Sequence, residues 1–221
     1  MPVVNKALVA VFMCWALMLP SIVAGASVQK SPPSLPETVQ DAAEGPELQL
    51  LGYGRMRWWF WDAFDASLWI TGDTWNWNEP FVLELRYVRN FDGSEIVDGT
   101  RDQWEHLGYD NDIQHRTWLS QLTGIFPNVK AGDQLAGVYL PGRETHFFHN
   151  GRPIGTMLSP EFGRAFFSIW LDEKTSQPSL RHALLGGDCV RPTVVAESEE
   201  VSCGGGTMRP PTPRRHGPDR S

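Results

Sequence analysis

Apolar and polar positions change period repeatedly along this chain, and each change marks a new element. Leu48 to Ile70 is dense in Leu, Trp and Phe, and Asp62 near its centre predicts two strands joined there. Thr71-Gly72-Asp73 closes the second strand. Phe81, Leu83, Leu85 and Tyr87 then alternate with Val82, Glu84 and Arg86, the period of a half-buried strand. The middle of the chain shifts to helical spacing. Ile96, Val97, Thr100, Trp104 and Leu107 share one face, weakened by Gly99. Asn111 or Asp112 can cap a second helix, whose stripe is Trp118, Leu119, Leu122 and Ile125 and which Pro127 ends.

The pattern then returns to strands. Asp133 to Leu140 reads as one, with Pro141-Gly142 as a turn. Glu144 to His149 and Arg152 to Met157 flank Asn150-Gly151, the preferred pair for a two-residue type I′ turn because both central residues need φ > 0. Ser159 is a suitable N-cap with Pro160 at the first helical position. Phe162, Ala165, Phe166, Ile169 and Trp170 follow the amphipathic spacing. A short helix with Leu180, Leu184 and Leu185 stops at Gly186-Gly187. The order of strands and helices predicts an α+β domain, with helices on one face of an antiparallel sheet.

The flanks read differently. Lys6 precedes an apolar run from Ala7 to Leu19, and Ala24-Gly25-Ala26 fits a small-x-small cleavage site. Residues 1–26 are therefore expected to be a cleaved signal peptide, because the run is short for a bilayer span; an uncleaved anchor is the alternative. Residues 27–46 hold Pro32, Pro33, Pro36 and Pro46 with few bulky apolar side chains and read as a flexible linker. The folded domain is then expected over 47–187. Residues 188–221, with Gly204-Gly205-Gly206 and a Pro-Arg run, read as a disordered tail. The mature protein is expected to be exported to the periplasm, with no stable membrane span once the signal is removed. Cys189 and Cys203 could pair in an oxidising compartment or remain free thiols.

The 221 residues carry a net charge of −7 and a sequence pI near 5.3. That balance argues against a general nucleic-acid binder, which presents a basic stripe. The three Cys are too few and too scattered for a disulfide scaffold or a zinc site. His146 and His149 lie in one strand but point to opposite faces, so no metal is expected. No Gly-x-Ser-x-Gly elbow is present.

The candidate chemistry gathers on the first strand. In Arg55-Met56-Arg57-Trp58-Trp59-Phe60-Trp61, alternation puts Arg55, Arg57, Trp59 and Trp61 on one face. Two guanidiniums among aromatic rings suit a carboxylate or phenolate on an apolar ligand. A solvent-facing Arg pair with Trp stacked beside it is the alternative. Asp62, Asp65 and Glu84, in or beside apolar strands, are either shifted titrating groups or turn and edge residues. Trp69, Trp75 and Trp77 flank a polar loop and are expected to pack beneath it rather than to form a contact surface.

The order of motifs resembles the chalcone isomerase-like family, in particular an exported bacterial branch. The matching stretches are Gly52-Tyr53-Gly54-Arg55, Phe64-Asp65-Ala66-Ser67-Leu68-Trp69, and Phe81 to Arg89 with Leu85-Arg86-Tyr87 at its centre. They continue through Ile125-Phe126-Pro127-Asn128-Val129-Lys130-Ala131-Gly132-Asp133, Val138-Tyr139-Leu140-Pro141-Gly142, Ala165 to Leu171 and Leu184-Leu185-Gly186. The resemblance implies an open-faced β-sandwich, a large antiparallel sheet covered by helices, without cofactor or metal. In the plant enzymes a first-strand Arg and nearby hydroxyls polarise a flavonoid ketone; in fatty-acid-binding relatives an Arg and a Tyr hold a carboxylate. Arg55 or Arg57 matches the first-strand Arg. Residues 55–66 contain no Ser, Thr or Tyr, and Phe64 and Trp69 stand where the family often has Tyr. Ring closure needs donors that stabilise the developing enolate, so these departures argue against chalcone chemistry.

The leading expectation is an exported, non-catalytic binder of an apolar, fatty-acid-like carboxylate. Its ligand-binding residues would be Arg55, Arg57, Trp59, Trp61, Arg86 and Tyr87, with an Arg pointing into a cleft beneath the helices. The alternatives are an intramolecular lyase or isomerase acting on another enone, and an envelope protein that meets a protein partner.

Overall fold

The computed structural model describes residues 34–58, 61–109 and 112–187, and within strands it leaves the side chains of Trp58 and Trp61 undescribed. The expected signal peptide, the Cys189–Cys203 pair, the tail and Trp59 all lie outside the described residues. Six strands form one antiparallel sheet in sequence order: β1 (Gln49–Trp58), β2 (Trp61–Ile70), β3 (Phe81–Tyr87), β4 (Gln134–Tyr139), β5 (Thr145–His149) and β6 (Arg152–Met157). The helices are α1 (Glu37–Asp41), α2 (Gly93–Leu107), α3 (Ile113–Ile125), α4 (Pro160–Leu171) and α5 (Pro178–Leu184). Each element expected from the sequence between residues 48 and 187 is present. No helix among the described residues is long and apolar enough to cross a membrane.

The pleat divides the sheet into two apolar faces. On the inner face, Ala66, Leu68 and Ile70 of β2 and Phe81, Leu83 and Leu85 of β3 meet α2 to α5 in the main core. Trp104, Trp118, Phe162, Phe166 and Phe167 supply its rings, and Phe162 and Phe167 are fully buried. Edge-to-face contacts dominate, as between Trp118 and Phe162 at 5.6 Å and between Phe147 and Phe166 at 5.2 Å.

The outer face corrects two expectations. Residues 27–46 were expected to be linker, but their described part contains α1, and Val39 and Ala43 are fully buried. They pack with Trp69, Val82, Ala136, Val138, Leu140 and Phe148. Few residues are needed for this cover: Leu35, Val39 and Ala43 recur every four positions, one stripe of a short helical turn. The Thr38 hydroxyl donates to the Gly151 carbonyl at 2.7 Å, and Arg143 bonds Glu44 at 2.6 Å, which ties the segment to two turns of the sheet. β3 is consequently buried on both faces from Phe81 to Leu85, not half-buried.

Local signals explain the element ends. Asn150 and Gly151 have φ of 51° and 75°, as the hairpin turn requires. Asp112 caps α3 by accepting from the His115 backbone N–H at 2.8 Å. Ser159 stands at the N-cap of α4 as expected, but its hydroxyl donates to Glu161 at 2.8 Å and caps no backbone N–H. Gly163, one turn into α4, lies against the sheet where no side chain fits. A Cβ there would sit 2.7 Å from Thr145 Oγ1 and 2.8 Å from the Tyr139 ring. This close approach fixes where the next residue, Arg164, leaves the helix.

Candidate functional site

The first-strand arginines turn away from the helices. Gly54 and Met56 face the inner core, so Arg55 and Arg57 stand on the outer face. The expectation that one of them enters a cleft beneath the helices is thereby corrected. Both find carboxylates across the hairpin. Arg55 grips Asp65 with two hydrogen bonds of 2.6 and 2.9 Å and reaches Asp62 at 2.8 Å, and Arg57 bonds Asp62 at 2.8 Å. In a regular strand Asp62 and Asp65 would point to opposite faces. A bulge leaves Ala63 unpaired between the pairs Met56–Phe64 and Arg57–Asp62, and so brings both carboxylates to one side. Burial would raise the Asp62 pKa, but hydrogen bonds from Arg57 and Arg55 outweigh it and hold the carboxyl below the ordinary Asp value. These guanidiniums are satisfied within the protein.

Arg86 joins them on the outer face, opposite Asp65 and Gln134, with its Nη2 3.7 Å from Glu84. Tyr87 points the other way. It is buried in the main core between Phe64 and Phe91, at 5.8 and 5.5 Å between ring centres, and burial pushes its hydroxyl pKa far up. The structure thus gathers Arg55, Arg57 and Arg86 on one face and separates Tyr87 from them.

Glu84 is the most buried carboxylate of that face, at 3% exposure. Its Oε1 accepts from Gln134 Nε2 at 2.8 Å, while Oε2 has no well-aligned partner. Burial pushes its pKa above the ordinary Glu value, with Arg86 and the Trp69 indole opposing. The ionised form is therefore disfavoured in the fold. Its contribution to stability falls as pH rises from about 4.5 through the raised pKa, and returns on acidification. Glu84→Gln keeps an acceptor for Gln134 and removes the charge. Its stability, measured by urea unfolding from pH 5 to 8, should exceed the parent's at pH 7, with a flatter pH profile above 4.5. Parallel profiles would contradict this assignment.

The inner side holds a cleft of about 560 Å³ between α3, α4 and the loop that joins β2 to β3. Trp77, Tyr109, His115, Trp118 and Tyr139 make its aromatic walls, and Arg164 stands in its lining. Arg164 has no carboxylate partner among the described residues; its guanidinium lies over the Trp77 ring, 5.0 Å from the centroid. Trp77 is itself fixed by edge contacts to Trp75 at 4.9 Å and Phe81 at 5.9 Å, and its carbonyl accepts from Tyr139 Oη at 3.3 Å. The expectation that Trp75 and Trp77 pack beneath their loop agrees with these contacts, and Trp77 also faces the cleft. Trp69 lies in the outer-face core, away from them.

Hydrogen bonds hold the opposite wall. Tyr109 Oη donates to Ser168 Oγ at 3.4 Å, and that hydroxyl donates to the Arg164 carbonyl at 2.7 Å. His115 packs edge-on against Trp118 at 5.1 Å, with its Nδ1 2.9 Å from Asp112 Oδ1. Burial raises the Tyr139 pKa, with the Arg164 charge opposing. Among the described lining residues there is no Ser, Cys or Lys, and Tyr109, His115, Tyr139 and Glu161 are its groups with acid–base or nucleophilic chemistry. His146 and His149 lie on opposite faces, as strand alternation dictates, and no group of three or more metal-ligating side chains forms among the described residues.

Sequence reasoning passed over Arg164. The stripe Phe162, Ala165, Phe166, Ile169 and Trp170 marks the core side of α4, and an Arg off that stripe reads as solvated. The one available signal was the Trp75-x-Trp77 pair, two large rings in a loop that would otherwise be polar.

An open antiparallel sheet covered by a layer of helices defines an open-faced β-sandwich, here with a solvent-open aromatic cleft. The sequence profile of the chalcone isomerase-like family matches residues 31–186, and the chain belongs to that family. The match begins well before residue 47, in keeping with the packed α1 segment. Among solved structures, a fatty-acid binding protein of Arabidopsis thaliana is similar in fold, with a TM-score of 0.52 and 14% identity over 66% of this chain and 90% of that one. A search of curated proteins finds no match.

Proposed function

We propose that this protein is a non-catalytic binder of an apolar, fatty-acid-like carboxylate, held in the inner cleft with Arg164 as its anion anchor. The observation that carries this reading is a guanidinium without a carboxylate partner in an aromatic-walled cleft of about 560 Å³. That volume lies in the range of small-molecule sites, roughly 300–1,000 Å³. The similar fold of a protein described as fatty-acid binding supports the ligand class. The reading also includes export: residues 1–26 as a cleaved signal, the periplasm as destination, membership of an exported bacterial branch, and residues 188–221 as a solvated tail. Calorimetric titration of the full chain with dodecanoate tests the binding. It should show one saturable site per chain; no heat beyond dilution would contradict it.

A further inference from the structure

The two ring nitrogens of His115 differ in what they meet. Its side chain is only 13% exposed, and the ring stands edge-on to Trp118, Tyr109 and Trp104, at 5.1, 5.4 and 5.5 Å between centres. Three such contacts fix the plane of the ring. Nδ1 is enclosed and lies 2.9 Å from Asp112 Oδ1. An ionised carboxylate offers only lone pairs, so at that distance Nδ1 is the nitrogen that carries the proton. The His115 backbone N–H, foremost, holds the Asp112 carboxyl below its ordinary pKa and so keeps it in that acceptor form. Nε2 is neither enclosed nor bonded to a described residue, and His115 lines the cleft. The two hydroxyls of the lining differ from it: Tyr109 donates to Ser168, and Tyr139 to the Trp77 carbonyl.

We infer that His115 is a specificity-determining residue of the cleft, which accepts a hydrogen bond through Nε2 from a hydroxyl of the ligand, so that the apolar acid bound there is a hydroxylated one. That the ligand is an acid rests on the proposed role of Arg164; the hydroxyl contact does not. A neutral imidazole with its proton on Nδ1 has a lone pair on Nε2 and nothing to donate there. A plain alkyl chain laid over that edge removes water and returns no bond, and a polar group left unmatched costs more than a made bond gains. A hydroxyl supplies the missing donor. A site that bonds a hydroxyl discriminates against the analogue without it more sharply than an apolar wall discriminates by shape. The surrounding rings hold the lone pair in place before a ligand arrives, which lowers the ordering cost of the contact.

The test uses two probes without a carboxylate, octanol and its methyl ether, on the full chain. The ether keeps the alkyl chain and loses the donor. In the parent, nitrogen NMR of the His115 imidazole should show a protonated Nδ1 and a bare Nε2, and octanol should move the Nε2 resonance while the ether leaves it in place. His115→Phe keeps a ring against Trp104, Tyr109 and Trp118 and removes the lone pair. It should shift the ratio of the two affinities about two- to tenfold towards the ether. A proton on Nε2, an Nε2 resonance indifferent to octanol, an unchanged ratio in His115→Phe, or no binding of either probe would overturn the contact. The NMR measurement needs no variant, so it decides even where His115→Phe does not fold. Arg164→Met separates the two readings. If that variant keeps its dodecanoate affinity while its octanol-to-ether ratio equals the parent's, the carboxylate role of Arg164 falls and the hydroxyl contact stands.

Discussion

Arg164→Met protein should bind dodecanoate at least about tenfold more weakly than the parent, on the scale of one lost charge-assisted contact. A hydrogen bond to a charged group contributes roughly 1.5–3 kcal/mol net, and 1.4 kcal/mol is one factor of ten. Met retains much of the aliphatic stem that covers Trp77 while it removes the guanidinium. What the fold itself loses is the cation–π contact, worth about 0.5–1 kcal/mol at an exposed site. The far-UV spectrum and unfolding midpoint should therefore stay close to the parent's. The same substitution at Arg55 should leave dodecanoate affinity unchanged, because Asp62 and Asp65 already occupy that guanidinium on the other face of the sheet. Calorimetry on both variants checks the pair: equal losses, or a loss confined to the Arg55 variant, would move the anchor back to the first strand.

Gly163→Ala sets helix propensity against packing, and packing should win. In a helix interior Ala is favoured over Gly by about 1 kcal/mol. At this position the added methyl would lie 2.7 Å from Thr145 Oγ1 and within 2.9 Å of two carbons of the Tyr139 ring. Thr145 is fully buried and Tyr139 nearly so, with its hydroxyl tied to Trp77, so neither can yield freely. Overpacking of this kind costs about 1–3 kcal/mol. The urea midpoint should fall in spite of the better helix former. Because α4 must lift from the sheet, Arg164 moves relative to Trp77 and dodecanoate affinity should fall as well. A stabilised variant would show that α4 can shift without cost, and that Gly163 does not position the anchor.

The sequence made most of the inner layer legible. Periodicity alone places α2 to α5, and Asn150-Gly151 sets a hairpin whose two turn residues have positive φ. It failed where the decisive partner lies far along the chain. Burial of β3 on its outer face depends on Leu35, Val39 and Ala43, three apolar residues whose helical spacing is masked by the surrounding prolines. The pairing of Arg55 and Arg57 depends on a bulge at Ala63, which alternation cannot foresee and which reverses the face that Asp62 would otherwise take. Arg164 is the same case on the inner side. Its helical position says only that it lies off the core stripe, and the side chain is exposed; that the β2–β3 loop and α3 border that side is a tertiary fact. The family resemblance drew attention to a first-strand Arg, where this chain provides its own counter-charges.

A crystal structure of the full chain with dodecanoate bound tests the account most directly. The account predicts a carboxylate hydrogen-bonded to Arg164, with the alkyl chain lying among Trp118, Tyr109 and Tyr139. A ligand on the outer face at Arg55 and Arg57, or a cleft that stays empty while the acid binds elsewhere, would contradict it.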